Sequence, residues 1–168
     1  MAEAICHSFV LLTFRRRDLE MTEMITSRKN EKIAHMKKLG VSASYRRECG
    51  ETLCDGNKLL KEAAEHGIKI KTVLFCGKEP ENCGAEKVYE VPKELIETVS
   101  PMATVQNVVF SCEIPETPCA DDIGGRCIIL ENVQDPGNVG TMIRTANAFL
   151  IDTVVLVGSC ADPFSPKT

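Results

Sequence analysis

The residues best suited by type and spacing to do chemistry lie in one stretch, residues 131–149, ENVQDPGNVGTMIRTANAF. A short apolar run, CIIL at 127–130, precedes it, and a glycine-rich turn then leads into a helix. The unpaired N–H groups and the dipole at a helix start favour an anion. Arg144 follows Asn138 by six residues, early in that helix. A guanidinium fork matches phosphate geometry and stays charged at any working pH. Asn138 can donate and accept at once, so it could order the loop or a ribose hydroxyl. The stretch contains no G-x-x-x-x-G-K-[ST] phosphate loop, and DPGNVG is not the G-x-G-x-x-G dinucleotide fingerprint. Two readings stay open on these residues alone. One is an anion site at a strand–helix turn; the other is a tight turn carrying a surface arginine.

Other chemistries are poorly supplied. Nine cysteines stand at 6, 49, 54, 76, 83, 112, 119, 127 and 160, with no C-x-x-C pair among them. Neither a disulfide framework nor a zinc site is expected. Reduced thiols used as small apolar fillers in a cytoplasmic protein are the simpler expectation. His7, His35 and His66 have no ligand spacing, so no metal is expected. Aromatic residues make up only 5% and Trp is absent, so platforms for stacking single-stranded bases are few.

Charge is unevenly spread. Residues 15–48 carry ten Lys/Arg against five Asp/Glu, whereas residues 49–168 carry ten against eighteen. A basic front on a chain of net charge −4 suits a phosphate-bearing partner. It equally suits a solvated basic helix with no partner. The first fourteen residues, MAEAICHSFVLLTF, are apolar but precede their arginines, the reverse of a secretory signal, and are too short to cross a bilayer. They read as an N-terminal extension covering 1–23, with Met21 or Met24 as more natural starts. No membrane association is expected.

The elements that must position Asn138 and Arg144 follow from patterning. Ile33, Met36 and Leu39 share a helical face within 27–39, with Ser27 as N-cap and Gly40 as the stop. Leu53 and Cys54 suggest a short strand, and Asp55-Gly56 a turn. Residues 57–66 form a helix with Leu59, Leu60, Ala63 and Ala64 inward and Gly67 closing it. Strands are expected at 70–75, 87–91 and 105–112, and a helix from Pro92 through Ile96. This alternation predicts a small α/β domain over 24–114. PETPCADDIGG, 115–125, reads as a linker. From 126 onward a βαβ unit is expected: a strand at 127–130 buried on both faces, a helix with Met142, Ile143, Ala146 and Phe149 inward, and a second buried strand at 153–157 parallel to the first. So small a unit cannot bury enough apolar surface to stand alone.

LENVQDPGNVGTMIRTANAF followed by VVLVGSCADPFSPK closely resembles the first motif of the SpoU-type (TrmH-type) RNA 2′-O-ribose methyltransferases of the SPOUT superfamily. In that family a DPxNxGxxxRxAxAFG string follows one strand and a dPfspK string the next. The front of the chain, SRKNEKIAHMKKL and YRRECGETLCDGNKLLKEA, is similar to the family's N-terminal substrate-binding domain. The resemblance covers roughly 24–168. It implies an α/β fold in which the small substrate-binding domain precedes the first βαβ part, 126–168, of a parallel-sheet trefoil-knot domain.

The resemblance implies transfer of a methyl group from S-adenosylmethionine to a ribose 2′-OH of rRNA or tRNA. Arg144 would take the motif arginine's role at the RNA phosphate and the reacting hydroxyl, and Asn138 would shape that site. An arginine is a poor general base, so stabilising a developing alkoxide is its easier role. Arg28, Lys29, Asn30, Arg46 and Arg47 would contact RNA, gripping backbone more than reading bases. The family's cofactor-binding motifs lie beyond the position matching residue 168. The expectation is thus a C-terminally truncated form with an incomplete knot and S-adenosylmethionine pocket, whose alternative function is a non-catalytic RNA-binding module. Relatives dimerise through the knotted region, which leaves oligomeric state open. One departure stands out: Leu150 occupies a position where the family has Gly, and a positive φ there would strain it.

Overall fold

The computed structural model describes residues 22–102, 104–116 and 123–168. Most of the expected extension, six residues of the linker, and Cys6 and Cys119 lie outside these residues. Five strands form the first sheet: β1 (Glu23–Met24), β2 (Glu51–Asp55), β3 (Ile70–Phe75), β4 (Lys87–Glu90) and β5 (Val108–Glu113). Their order is β1-β4-β3-β5-β2. β1, β4 and β3 run parallel, while β5 is antiparallel to both β3 and β2.

Alternation along these strands sends side chains to two separate cores. Leu53, Leu74 and Val109 face α1 (Glu31–Val41) and α4 (Lys93–Val99), meeting Ile33, Met36, Leu39, Leu95, Ile96 and Val99. Val73, Phe75, Val108, Phe110 and Cys112 face the other way and meet Leu60 of α3 (Asn57–Glu65), flanked by Ala63 and Ala64. Both faces of this sheet are therefore covered, and each large side chain buried contributes roughly 1.5–3 kcal/mol. The seven described cysteines carry free thiols. Cys83 and Cys112 lie buried as core filler, and contact with Cys112 together with burial pushes the Cys54 thiol far up.

Four local expectations are corrected here. α1 starts later than expected: Asn30, not Ser27, caps it, its Oδ1 accepting from Lys32 N at 2.8 Å. Gly40 lies inside α1 and does not stop it; a Cβ there would stand 3.2 Å from Leu53 Cδ2, so the glycine lets α1 approach β2 closely. A helix absent from the sequence reading, α2 (Ala43–Cys49), follows at once, with Ser42 Oγ accepting from Tyr45 N. Leu59 of α3 is exposed, while Leu60 carries the contact.

The second sheet has two strands, β6 (Cys127–Glu131) and β7 (Thr153–Val157), joined through α5 (Pro136–Ala148). They pair in parallel, from Cys127↔Thr153 to Glu131↔Val157, as the βαβ pattern requires. Burial on both faces does not occur. Leu130 is buried, but its neighbour Ile129 is 65% exposed. Within α5, Val139, Gly140 and Ala146 are the buried residues, whereas Met142 and the following Phe149 are exposed. A two-stranded sheet with one helix lacks the surfaces needed to cover all these side chains.

Leu150 leaves α5 with φ of 54°, in the left-handed region that favours glycine. Its side chain is 71% exposed and so gains little from packing. Leu150→Gly is expected to raise stability by about 1 kcal/mol, since a left-handed conformation costs a non-glycine residue about that much. Chemical denaturation of the two proteins measures it, and an unchanged or lower midpoint contradicts the strain.

Candidate functional site

α5 begins at Pro136, inside the stretch whose glycines suggested a turn, and the start is chemically dictated. Asp135 is the N-cap, Pro136 occupies the first turn, and Asp135 Oδ1 accepts from Asn138 N at 2.8 Å. Gly137, Asn138 and Gly140 are thus helical and not part of a loop. The anion site expected at the helix start is modified by this cap. The Asp135 carboxylate already fills the place an anion would take and adds negative charge there.

Three exposed polar groups of α5 follow the i, i+3 spacing from that cap: Asn138, Thr141 and Arg144. Thr141 Oγ1 donates to Gly137 O at 2.7 Å and accepts from Arg144 Nη2 at 3.1 Å. One of the five guanidinium donors is therefore spent on aiming the side chain, and the fork faces solvent. Asn138 lies one turn nearer the cap with an exposed side chain. Thr141, which the sequence reading passed over, is the group that orients Arg144; its place one helical turn before Arg144 is the signal that could have found it.

The ends of β6 and β7 are tied to each other beside this helix. Asn132, at φ 55°, accepts from Ser159 N through Oδ1 at 2.8 Å, and Asn132 N donates to Val157 O. Ala161 N donates to Val133 O, and Val133 N donates to Cys160 Sγ at 3.4 Å. A Cβ on Gly158 would overlap the Asn132 side chain. The segment after β7 then closes on α5: Thr168 Oγ1 donates to Asp162 O at 2.8 Å, and a Cβ on Gly140 would overlap the Thr168 carbonyl.

The expected RNA-contact residues part company. Arg28, Lys29 and Arg47 are exposed. Lys29 and Asn30 line a cleft with Glu23, Ile25, Lys32 and Tyr89 at the start of α1, though Asn30 Oδ1 is engaged as the cap. Arg46 is different: it is 4% exposed, and its guanidinium is paired with Asp162, far along the chain. A buried, paired guanidinium cannot also reach a phosphate, so Arg46 is corrected from RNA contact to internal contact. Among the described residues, no group of three or more His, Cys, Asp or Glu side chains could hold a metal ion, and no helix is long and apolar enough to cross a membrane.

Residues 125–168 match the SpoU rRNA Methylase family, and residues 30–109 match the MRM3-like substrate binding domain. A segment matching the SpoU rRNA methylases thus follows one matching a substrate binding domain. It is 32% identical to the Bacillus subtilis protein named 23S rRNA (guanosine(2553)-2′-O)-methyltransferase RlmP, over 87% of this chain and 59% of that protein. It is 27% identical to the 23S rRNA (uridine(2479)-2′-O)-methyltransferase of Streptomyces viridochromogenes, over 86% of this chain and 54% of the other. Among solved structures, an AdoMet-bound rRNA methyltransferase from Sinorhizobium meliloti superposes with a TM-score of 0.75 at 31% identity, covering 87% of this chain and 58% of that one. The α/β architecture is thus that of SPOUT methyltransferases. The chain spans between half and three fifths of the length of these relatives.

The cap that starts α5 gives a local test. Asp135→Ala is expected to cost about 1 kcal/mol and to fray the first turn. Hydrogen exchange at 138–140 should accelerate while β3 keeps its protection. Unchanged exchange there would mean that Asp135 does not hold the helix start.

Proposed function

We propose that this protein takes part in 2′-O-methylation of ribosomal or transfer RNA with S-adenosylmethionine as methyl donor, in the manner that the names of its relatives describe. In this reading, residues 24–114 bind RNA, 115–125 connect, and the part from 126 presents the reacting ribose to the methyl donor. The observation that carries it is the aimed, solvent-facing guanidinium of Arg144, held by Thr141 on the helix that follows the first strand of the methylase segment.

Arg144 would bind the phosphate beside the target nucleotide and stabilise negative charge developing on the 2′-oxygen. It would not take the proton, because its own pKa is far too high. Asn138, one turn nearer the cap, would hold the ribose edge through its amide. Arg28 and Lys29, just before α1, Asn30 at its cap, and Arg47 on α2, with Lys32 nearby, would hold the phosphate backbone.

The clefts found among the described residues lie away from α5. Clefts occur beside α3, around residues 78–82, and at the start of α1. Each belongs to the first sheet and includes no residue of α5 or of the segments following β6 and β7. The reading therefore assigns S-adenosylmethionine to a domain of the relatives' full extent. The apolar surface at Ile129, Phe149, Leu150 and Val157 would be covered in such a domain, and the knot and any homodimer belong to the same expectation. So does a cytoplasmic location.

The test uses a 23S rRNA transcript, labelled S-adenosylmethionine and filter binding across a salt series. The unaltered chain should bind with strong salt dependence. Arg28→Ala, Lys29→Ala and Arg47→Ala should each lower the slope of log K against log salt by about one. Label appearing in 2′-O-methylated nucleotides supports the whole reading. RNA binding with no transfer removes its catalytic half, and salt-insensitive or absent binding removes the reading altogether.

A further inference from the structure

The two sheets meet without a shared apolar core. Neither hydrophobic cluster contains a residue beyond Cys112, and both belong to the first sheet. The described hydrogen bonds that join the halves are polar and few. Arg46 Nε and Nη2 donate to Asp162 Oδ2 at 3.0 and 2.5 Å. Arg46 Nη1 donates to Leu39 O at 2.6 Å, which ties the same guanidinium to the end of α1. Thr52 Oγ1, from β2, donates to Phe164 O at 2.6 Å. The Asp162 carboxylate is completed by Phe164 N, which donates to Oδ1 at 3.0 Å.

A contact of this kind does something apolar packing does not. Burial is non-directional, and one greasy face can slide or rotate on another. A guanidinium that is 4% exposed, with donors committed to a carbonyl on one side and a carboxylate on the other, has one satisfying arrangement. Any slip would leave a charge out of water without its partner. The pair also sits on a short path to the candidate site. The Asp162 carbonyl accepts from Thr168 Oγ1, and the Thr168 carbonyl packs on Gly140, whose position lies beside Arg144 Nη1.

We propose that Arg46 and Asp162 form a registry latch: two positioning residues that hold the RNA-gripping helices at a fixed place relative to Arg144. The proposal deepens the RNA-methyltransferase reading and rests on it for the meaning of Arg144. Without the latch, the basic surface around α1 and the guanidinium on α5 would bind RNA independently. With it, they engage one RNA at one spacing.

Two measurements on the full chain separate the latch from that reading. The first is hydrogen exchange in Asp162→Asn and in the harsher Arg46→Met. Exchange at 159–168 should rise at least about tenfold in both, as expected when a buried pair loses one partner. Protection at β3 (Ile70–Phe75) should stay, which shows the first sheet intact. If Arg46→Met fails to fold, Asp162→Asn carries the test. The second is a double-mutant cycle for filter binding of a 23S rRNA transcript. Arg144→Ala should weaken binding about tenfold in the unaltered chain, the worth of one charge-assisted contact. In the Asp162→Asn background the same change should cost less than about twofold, because the two surfaces no longer act as a unit. A merely destabilising effect would leave the two costs equal, and equal costs overturn the proposal. If Arg144→Ala costs nothing in the unaltered chain, the reading of Arg144 fails instead. Exchange then decides the latch alone: a rise at 159–168 supports it and unchanged exchange overturns it.

Discussion

A guanidinium taken out of water must find partners for its donors, and Arg46 finds them in two different parts of the chain. That requirement joins a well-packed domain to a segment that could not stand alone. The desolvation cost of such a pair offsets much of its attraction, so its contribution to net stability is small or even negative. What it supplies is direction. Removing either partner leaves the other charged and partly buried, an error of about 3–5 kcal/mol that selects one docking geometry over its neighbours. Thr52 and Phe164 repeat the logic with a neutral donor and a carbonyl.

The two sheets illustrate how strand number decides what a βαβ unit can bury. In the five-stranded sheet, α1 and α4 cover one face and α3 the other, so alternate residues of β3 and β5 all reach a core. In the β6–β7 pair, the same apolar sequence style leaves Ile129 and Val157 in solvent. A continuous apolar run such as CIILE signals what a strand is suited to, namely burial on both faces. Whether it achieves that depends on how many neighbours are present.

This explains which parts of the fold were legible in the sequence. The periodic or strongly apolar elements, α3, β3 and β7, were readable to within a residue, since their patterns and their burial agree. The α2 helix was not, because its one buried residue is Arg46, and hydrophobic periodicity is blind to a charge that is inside. The start of α5 was missed for a related reason. An Asp cap and a Pro in the first turn fix it while glycines argue for a loop. Gly40 misled in the same way, being present for close approach to Leu53 and not for termination. Of the candidate site, the residue types and their order were visible at Asn138 and Arg144. The orienting hydroxyl of Thr141 and the reassignment of Arg46 depended on contacts that a linear pattern does not carry.

The cap at Asp135 has a further bearing on how the site can handle charge. A bare helix N-terminus attracts phosphate through several N–H groups at once. Here one of those donors, Asn138 N, is satisfied by a carboxylate of the chain itself. An incoming phosphate at that point would meet like charge. Attraction is instead displaced along α5 by three steps of three residues, to the guanidinium of Arg144. The electrostatic gradient along this one helix thus runs from a negative cap to a positive second half, the reverse of what its dipole alone provides. A polyanion approaching the exposed face is steered toward Arg144 and away from the turn. On the proposed reading, the phosphate would then meet the one guanidinium of the helix, which can hold it bidentately, and the Asn138 amide, between the two charges, would be left for an uncharged hydroxyl.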